Sequence, residues 1–179
     1  MDLLLIAGVS GSGKSVAIAA LEDSGYYSVS NLPVSQLAGL LAHLKTVRQD
    51  RVAIVLDAKT EPGIASIAQA IDAARRDGWT VRFLYLDAKS DTLVKRYSET
   101  RRRHPFSNDR RTLTEAIEIE RDRLADARAL QRENAKELLS LIRAAMARPS
   151  LSKEAHAHLA ECENTLAEAL KAPLQRPAA

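Results

Sequence analysis

The chain has 179 residues, enough for one domain with a real hydrophobic core and tight for two. With 46% hydrophobic and 27% charged residues it lies outside the disordered class, and 4% aromatic content beside abundant Ala and Leu favours a helix-rich architecture. A net charge of +3 suits anionic ligands without defining a nucleic-acid binder, and a single cysteine, Cys162, excludes an intrachain disulfide framework and a Cys-only metal cluster.

From the N-terminus, residues 3–7 form an unbroken apolar run that stops at Gly8, the pattern of a central strand covered on both faces. A helix is expected from about Lys14 to Gly25, then a short strand over Tyr26–Val29. Pro33 is placed to open the next helix, which carries Leu37, Leu40, Leu41 and Leu44. Val52–Leu56 reads as a second buried strand ending in Asp57, followed by a helix over about 61–77. Val81–Leu86 is a third, ending in Asp87, and Ser90 is expected to cap a helix through Leu93, Val94 and Tyr97. This alternation predicts an α/β fold: a mostly parallel sheet of about four strands with helices on both faces, as in P-loop NTPases.

The remainder reads as helical. Thr112-Leu113-Thr114-Glu115 matches a capping box, and an apolar stripe predicts one helix from there to about Ala147. Arg148-Pro149-Ser150 breaks it, and a second helix sets Leu159, Cys162 and Leu166 on one face. The expected organisation is a nucleotide-binding core over 1–111, a helical hairpin over 112–172 packed on or extending from it, and a frayed tail over 173–179. No segment reaches the ~18 apolar residues of a membrane span, and the N-terminus lacks a signal-peptide pattern, so a cytoplasmic setting is expected.

Gly8-Val9-Ser10-Gly11-Ser12-Gly13-Lys14-Ser15 fits G-x-x-x-x-G-K-S/T at every defined position, between a predicted strand and a predicted helix. Glycines let the backbone curl with its N–H groups turned inward, and the helix N-terminus adds unpaired donors and a positive dipole end. The pattern predicts a site for the phosphates of ATP or GTP, with Lys14 reaching the β- and γ-phosphates and Ser15 ligating Mg²⁺. The metal needs an acidic partner at a strand end; Asp57 is favoured, and Asp87 has the same form. Lys95, Arg96, Arg101, Arg102, Arg103, Arg110 and Arg111 suit a lid over transferring phosphate, with a solvated basic surface or RNA contact as alternatives.

These residues resemble the RapZ/YvcJ nucleotide-binding family. The matching stretches are GVSGSGKSVA at 8–17, ALEDSGYY at 20–27, NLPV at 31–34, FLYLDA at 83–88, LVKRYSETRRRHPF at 93–106 and LTEAIE at 113–118. The resemblance implies binding of both ATP and GTP with weak hydrolysis of each. It places a second nucleotide-associated segment on Asp57, Ala58, Lys59 and Thr60. Carried onto this chain, the catalytic set is Lys14, Asp57 and Arg101, the binding set Gly8 to Ser15 with residues 57–60, and the metal ligands Ser15 and Asp57. The chain departs from the family at Ser30, where an aspartate is usual, which bears on hydrolysis more than on binding. It departs again after residue 125, where a fifth strand is usual.

Function is therefore expected to be nucleotide binding with slow hydrolysis in a regulatory role. The alternatives are a small-molecule or nucleoside kinase and an RNA- or protein-interaction adapter with nucleotide as effector. The RNA-linked role of some relatives goes with a C-terminal domain and is not carried over. A homo-oligomer through the C-terminal helices is a further expectation.

Overall fold

Four apolar segments become the strands of a computed structural model of the chain, which describes residues 1–57, 64–100, 103–108, 110–124 and 135–147, with isolated positions at 127, 130 and between 153 and 167. The strands β1 (Asp2–Gly8), β2 (Tyr27–Leu32), β3 (Arg51–Leu56) and β4 (Thr80–Leu86) form one sheet in the order β2-β3-β1-β4, and every pairing is parallel. Parallel neighbours need crossovers, which the helices α1 (Lys14–Glu22), α2 (Leu37–Thr46) and α3 (Ile64–Arg76) supply. Helix α4 (Ser90–Thr100) follows β4, and α5 (Leu113–Arg123) and α6 (Ala135–Met146) come after it.

Alternation along β1 divides the core in two. Leu3, Leu5 and Ala7 face a cluster containing Leu37, Leu41 and Leu44 of α2, Ile67 and Ile71 of α3, Leu93 of α4 and Ile117 of α5. Leu4 and Ile6 face the opposite cluster, with Ala17, Ile18 and Ala20 of α1 and Leu139 and Ile142 of α6. Both faces are thus covered, which is why β1 and β3 read as continuous apolar runs rather than alternating ones. Moving from β1 outward to β2 the crossover lies on one face, and moving back through β3 to β4 it lies on the other, as right-handed connections demand.

The expected strands are all present, with β2 running on to Leu32 past a register shift, where Asn31 adopts a left-handed φ of 57°. Ser90 does not cap α4. It is the first helical residue, Leu93 N–H donates to Lys89 O, and the Ser90 hydroxyl instead accepts from Arg121 Nη1 at 2.7 Å.

The single helix expected over 112–147 is interrupted among the described residues, where α5 stops at Arg123 with Leu124 as its C-cap. Leu124 and Ala127 are buried with Ile117 on one face of the sheet while Leu139 and Ile142 are buried on the other. One straight helix cannot serve both faces. Cys162 and residues 168–179 lie outside the described residues.

The capping box is formed as predicted: Thr112 Oγ1 accepts from Glu115 N–H, and the Glu115 carboxylate accepts from the Thr112 N–H at 2.7 Å and its hydroxyl at 2.9 Å. These bonds, the backbone one foremost, hold the Glu115 carboxyl below its ordinary range. A depressed folded value means that the contribution to stability is present at neutral pH and is lost as pH falls through that value. Glu115→Gln is therefore expected to lower stability at neutral pH and to flatten the acid side of the stability profile, read from urea midpoints between neutral and acidic pH.

Candidate functional site

The loop after β1 is shaped by its glycines. Gly8, Gly11 and Gly13 have φ values of 149°, 84° and 98°. A Cβ on Gly8 would stand 2.1 Å from the Leu86 carbonyl oxygen of β4, so only glycine lets the two strand ends lie this close. Val9 N–H donates to that same oxygen at 3.1 Å, and Gly13 leads into α1 in a left-handed conformation with no side chain capping the helix. The open first turn of α1 and the curled loop give backbone donors facing one space, an anion-binding arrangement.

That space is a cavity of about 580 Å³ between the loop and α4, lined by Gly11, Gly13, Lys14 and Ser15 on one side and by Thr92, Lys95, Arg96 and Thr100 on the other. Lys14 Nζ donates to Gly8 O at 2.7 Å and Val9 O at 2.9 Å, and Arg96 Nη1 donates to Gly11 O at 2.8 Å. Both cations therefore rest on loop carbonyls beside the cavity. The Ser12 hydroxyl is buried and has no hydrogen-bond partner. An unsatisfied buried hydroxyl in a loop of this shape is a group left open for a ligand oxygen.

Asp57 follows β3, the neighbour of β1, and its N–H donates to Leu32 O at 2.9 Å. The register pairs Ile6 with Val55, and continued two residues it sets Asp57 beside Gly8, at the same edge of the sheet as the loop. Asp87, the other acidic candidate, is engaged elsewhere: its Oδ1 accepts from Arg121 Nε and Nη2 at 3.2 Å and from Ala88 N–H at 2.8 Å. Arg121 also donates to Ala88 O and so clamps α5 onto the turn after β4. Ser30 is exposed on β2. Of the basic segment, Lys95 and Arg96 line the cavity, while Arg103, Arg110 and Arg111 are exposed; Arg101, Arg102, Ala58, Lys59 and Thr60 lie outside the described residues.

Two side chains escaped the sequence reading. Glu120 is 3% exposed, and its carboxylate accepts from Ser10 N–H at 2.7 Å and the Ser10 hydroxyl at 2.8 Å. His104, equally buried, joins it through Nε2 at 3.0 Å. The signal available in the sequence was the phase of Glu120, a carboxylate in the apolar stripe between Ile117 and Leu124.

A central parallel strand running into a glycine loop and a helix, with a cation at the helix start and a cavity at the strand ends, defines an α/β domain of the P-loop type. The chain belongs to the RapZ-like N-terminal domain family, whose model matches residues 1–136. It is 48% identical over 130 residues to a nucleotide-binding protein of Thiobacillus denitrificans, covering 73% of this chain and 47% of that one. A nucleotide-binding protein of Azoarcus sp. is 45% identical over 130 residues, 73% of this chain and 44% of its own. Another from Dechloromonas aromatica is 50% identical over 121 residues, 68% of this chain and 43% of its own. The chain thus spans a little under half the length of these relatives.

The Cβ of an alanine at Gly8 would meet backbone, whereas at Gly11 it would meet side chains, the Tyr97 ring at 3.3 Å and a Leu93 methyl at 3.4 Å. Both substitutions strain a left-handed backbone, but only the second has a neighbour able to give way. Gly8→Ala is expected to lower the melting temperature well beyond Gly11→Ala; equal thermal shifts would contradict this account of the loop.

Proposed function

We propose that the chain binds ATP or GTP with Mg²⁺ at the loop of residues 8–15 and hydrolyses them slowly, as the nucleotide-responsive part of a regulatory protein. The observation that carries this reading is the cavity at the loop, lined by the cations Lys14, Lys95 and Arg96 with one carboxylate, Glu99, among them; Lys14 and Arg96 rest on loop carbonyls. The loop amides and the open first turn of α1 would take the β-phosphate, and the Ser12 hydroxyl gains a partner. Lys14 exchanges the Gly8 and Val9 carbonyls for phosphate oxygens, and Arg96 exchanges Gly11. Arg101 and its neighbours would then close over the terminal phosphate.

Among the described residues no three His, Cys, Asp or Glu side chains gather to hold a metal. Magnesium bound with a nucleotide needs only one or two protein oxygens, because phosphates and waters fill its shell. Ser15, exposed at the cavity, and Asp57, at the neighbouring strand end, are hard oxygen donors that fit that requirement. Bound there, the ion would screen the charge of the phosphates. Hydrolysis is read as slow because Ser30 stands where relatives are expected to carry an acid. The names of the relatives support nucleotide binding.

Calorimetric titration with ATP and GTP tests this reading. Lys14→Ala is expected to abolish saturable binding of both while the protein still melts cooperatively; undiminished affinity would remove its basis. Asp57→Asn is expected to retain binding in EDTA and to lose the gain that Mg²⁺ gives the parent chain. A variant with the full magnesium gain would take the metal away from Asp57.

A further inference from the structure

We propose that Glu120, backed by His104, is a positioning group for the phosphate loop and thereby sets nucleotide affinity. This inference rests on the nucleotide-binding reading. It concerns two residues on the far side of the loop, neither of which lines the cavity.

The geometry is a closed ring of contacts. The Glu120 carboxylate holds both the N–H and the hydroxyl of Ser10, which fixes that peptide's orientation and its rotamer together. His104 Nδ1 accepts the Phe106 N–H at 3.2 Å, which puts the ring proton on Nε2, facing Glu120 at 3.0 Å. The His104 ring lies 5.1 Å from that of Tyr97, and the edge of Tyr97 covers Gly11. Ser10 and Gly11, adjacent in the loop, are therefore each held by one route from His104.

Burying a carboxylate is costly, and a well-packed apolar side chain at position 120 would anchor α5 to the core without that cost. A negative charge behind an anion site also opposes phosphate binding. Both penalties fall on Glu120, and the return is a phosphate loop held in one conformation before any ligand arrives. The two roles predict opposite signs. If Glu120 only packs α5, replacing it with leucine leaves phosphate affinity unchanged or raises it. If it positions Ser10, the same replacement lowers affinity, because the Ser10 N–H and hydroxyl both lose their acceptor.

The test is titration of the purified chain and its variants with Mg-ATP and Mg-ADP, alongside thermal melting. Glu120→Leu is expected to weaken ATP binding by roughly tenfold or more, since hydrogen bonds to a charged group are lost. His104→Phe keeps a ring against Tyr97 but no donor. It is expected to weaken ATP binding by a few-fold, and His104→Gln, which restores an N–H, should recover part of that loss. Affinity in Glu120→Leu equal to or above that of the parent chain overturns the proposal, as does unchanged affinity in His104→Phe. Should Glu120→Leu fail to fold, Ser10→Ala carries the same test, with several-fold weaker binding expected and unchanged binding decisive against. A parent chain that binds neither nucleotide defeats the functional reading and this inference together, an outcome distinct from a parent that binds and variants that match it.

Discussion

Reversal of chain direction at β1 is the constraint on which the rest depends. From β1 the chain crosses one face of the sheet to reach β2, then returns over the other face through β3 to β4. Since right-handed crossovers fix which face each helix takes, α1 leaves the end of β1 toward one face while α4 leaves the end of β4 toward the other. Two neighbouring strands whose connections part in this way leave a crevice at their carboxyl ends, the usual ligand position in open α/β sheets. The cavity between the loop and α4 is that crevice, and it follows from strand order before any side chain is considered.

Side chains then decide what the crevice accepts. Lys14 and Arg96 supply positive charge from opposite walls, and each donates to carbonyls of the curled loop. Behind the loop, Glu120 accepts from the Ser10 amide. The loop is thus held from both sides, by cations on its carbonyls and by a carboxylate on one amide. Such bracing lowers the cost of ordering on ligand entry, and exchanging carbonyl partners for phosphate lets the cations move without being left bare.

What the sequence made legible was local. Apolar runs of five or six residues marked β1, β3 and β4 because these strands are buried on both faces, and the glycine spacing marked the loop because its backbone angles require it. Strand β2 was read short because Ser28, Ser30 and Asn31 interrupt its apolar pattern and its pairing with β3 shifts register between Val29 and Leu32. The continuous stripe after Thr112 hid a change of face, since periodicity reports that a side is apolar and not which side of the sheet it meets. The contacts of Glu120 with Ser10 and of Arg121 with Asp87 span 110 and 34 residues, and no local pattern encodes them. An apolar run ending in aspartate occurs twice in the sequence, and the contact that holds the second of them, Asp87 with Arg121, has no local signal.

The two faces of the sheet divide the labour of the chain's later helices. α5 lies on the side of α2 and α3 and brings Glu120 under the loop and Arg121 under the turn after β4, so it acts on the site while filling the core with Ile117. α6 lies on the opposite side, where Leu139 and Ile142 meet the cluster of Ile6, Leu84 and Leu86, and it has no residue at the cavity. The family match ends at residue 136, beside the start of α6, so it takes in every described residue that lines the cavity or braces the loop. Cover for an apolar face can be met by any helix of the right period and volume, because burial is non-directional. The three donors on Glu120 are directional, and no comparable freedom exists there. Divergence of the chain beyond α5 is thereby compatible with an intact phosphate loop.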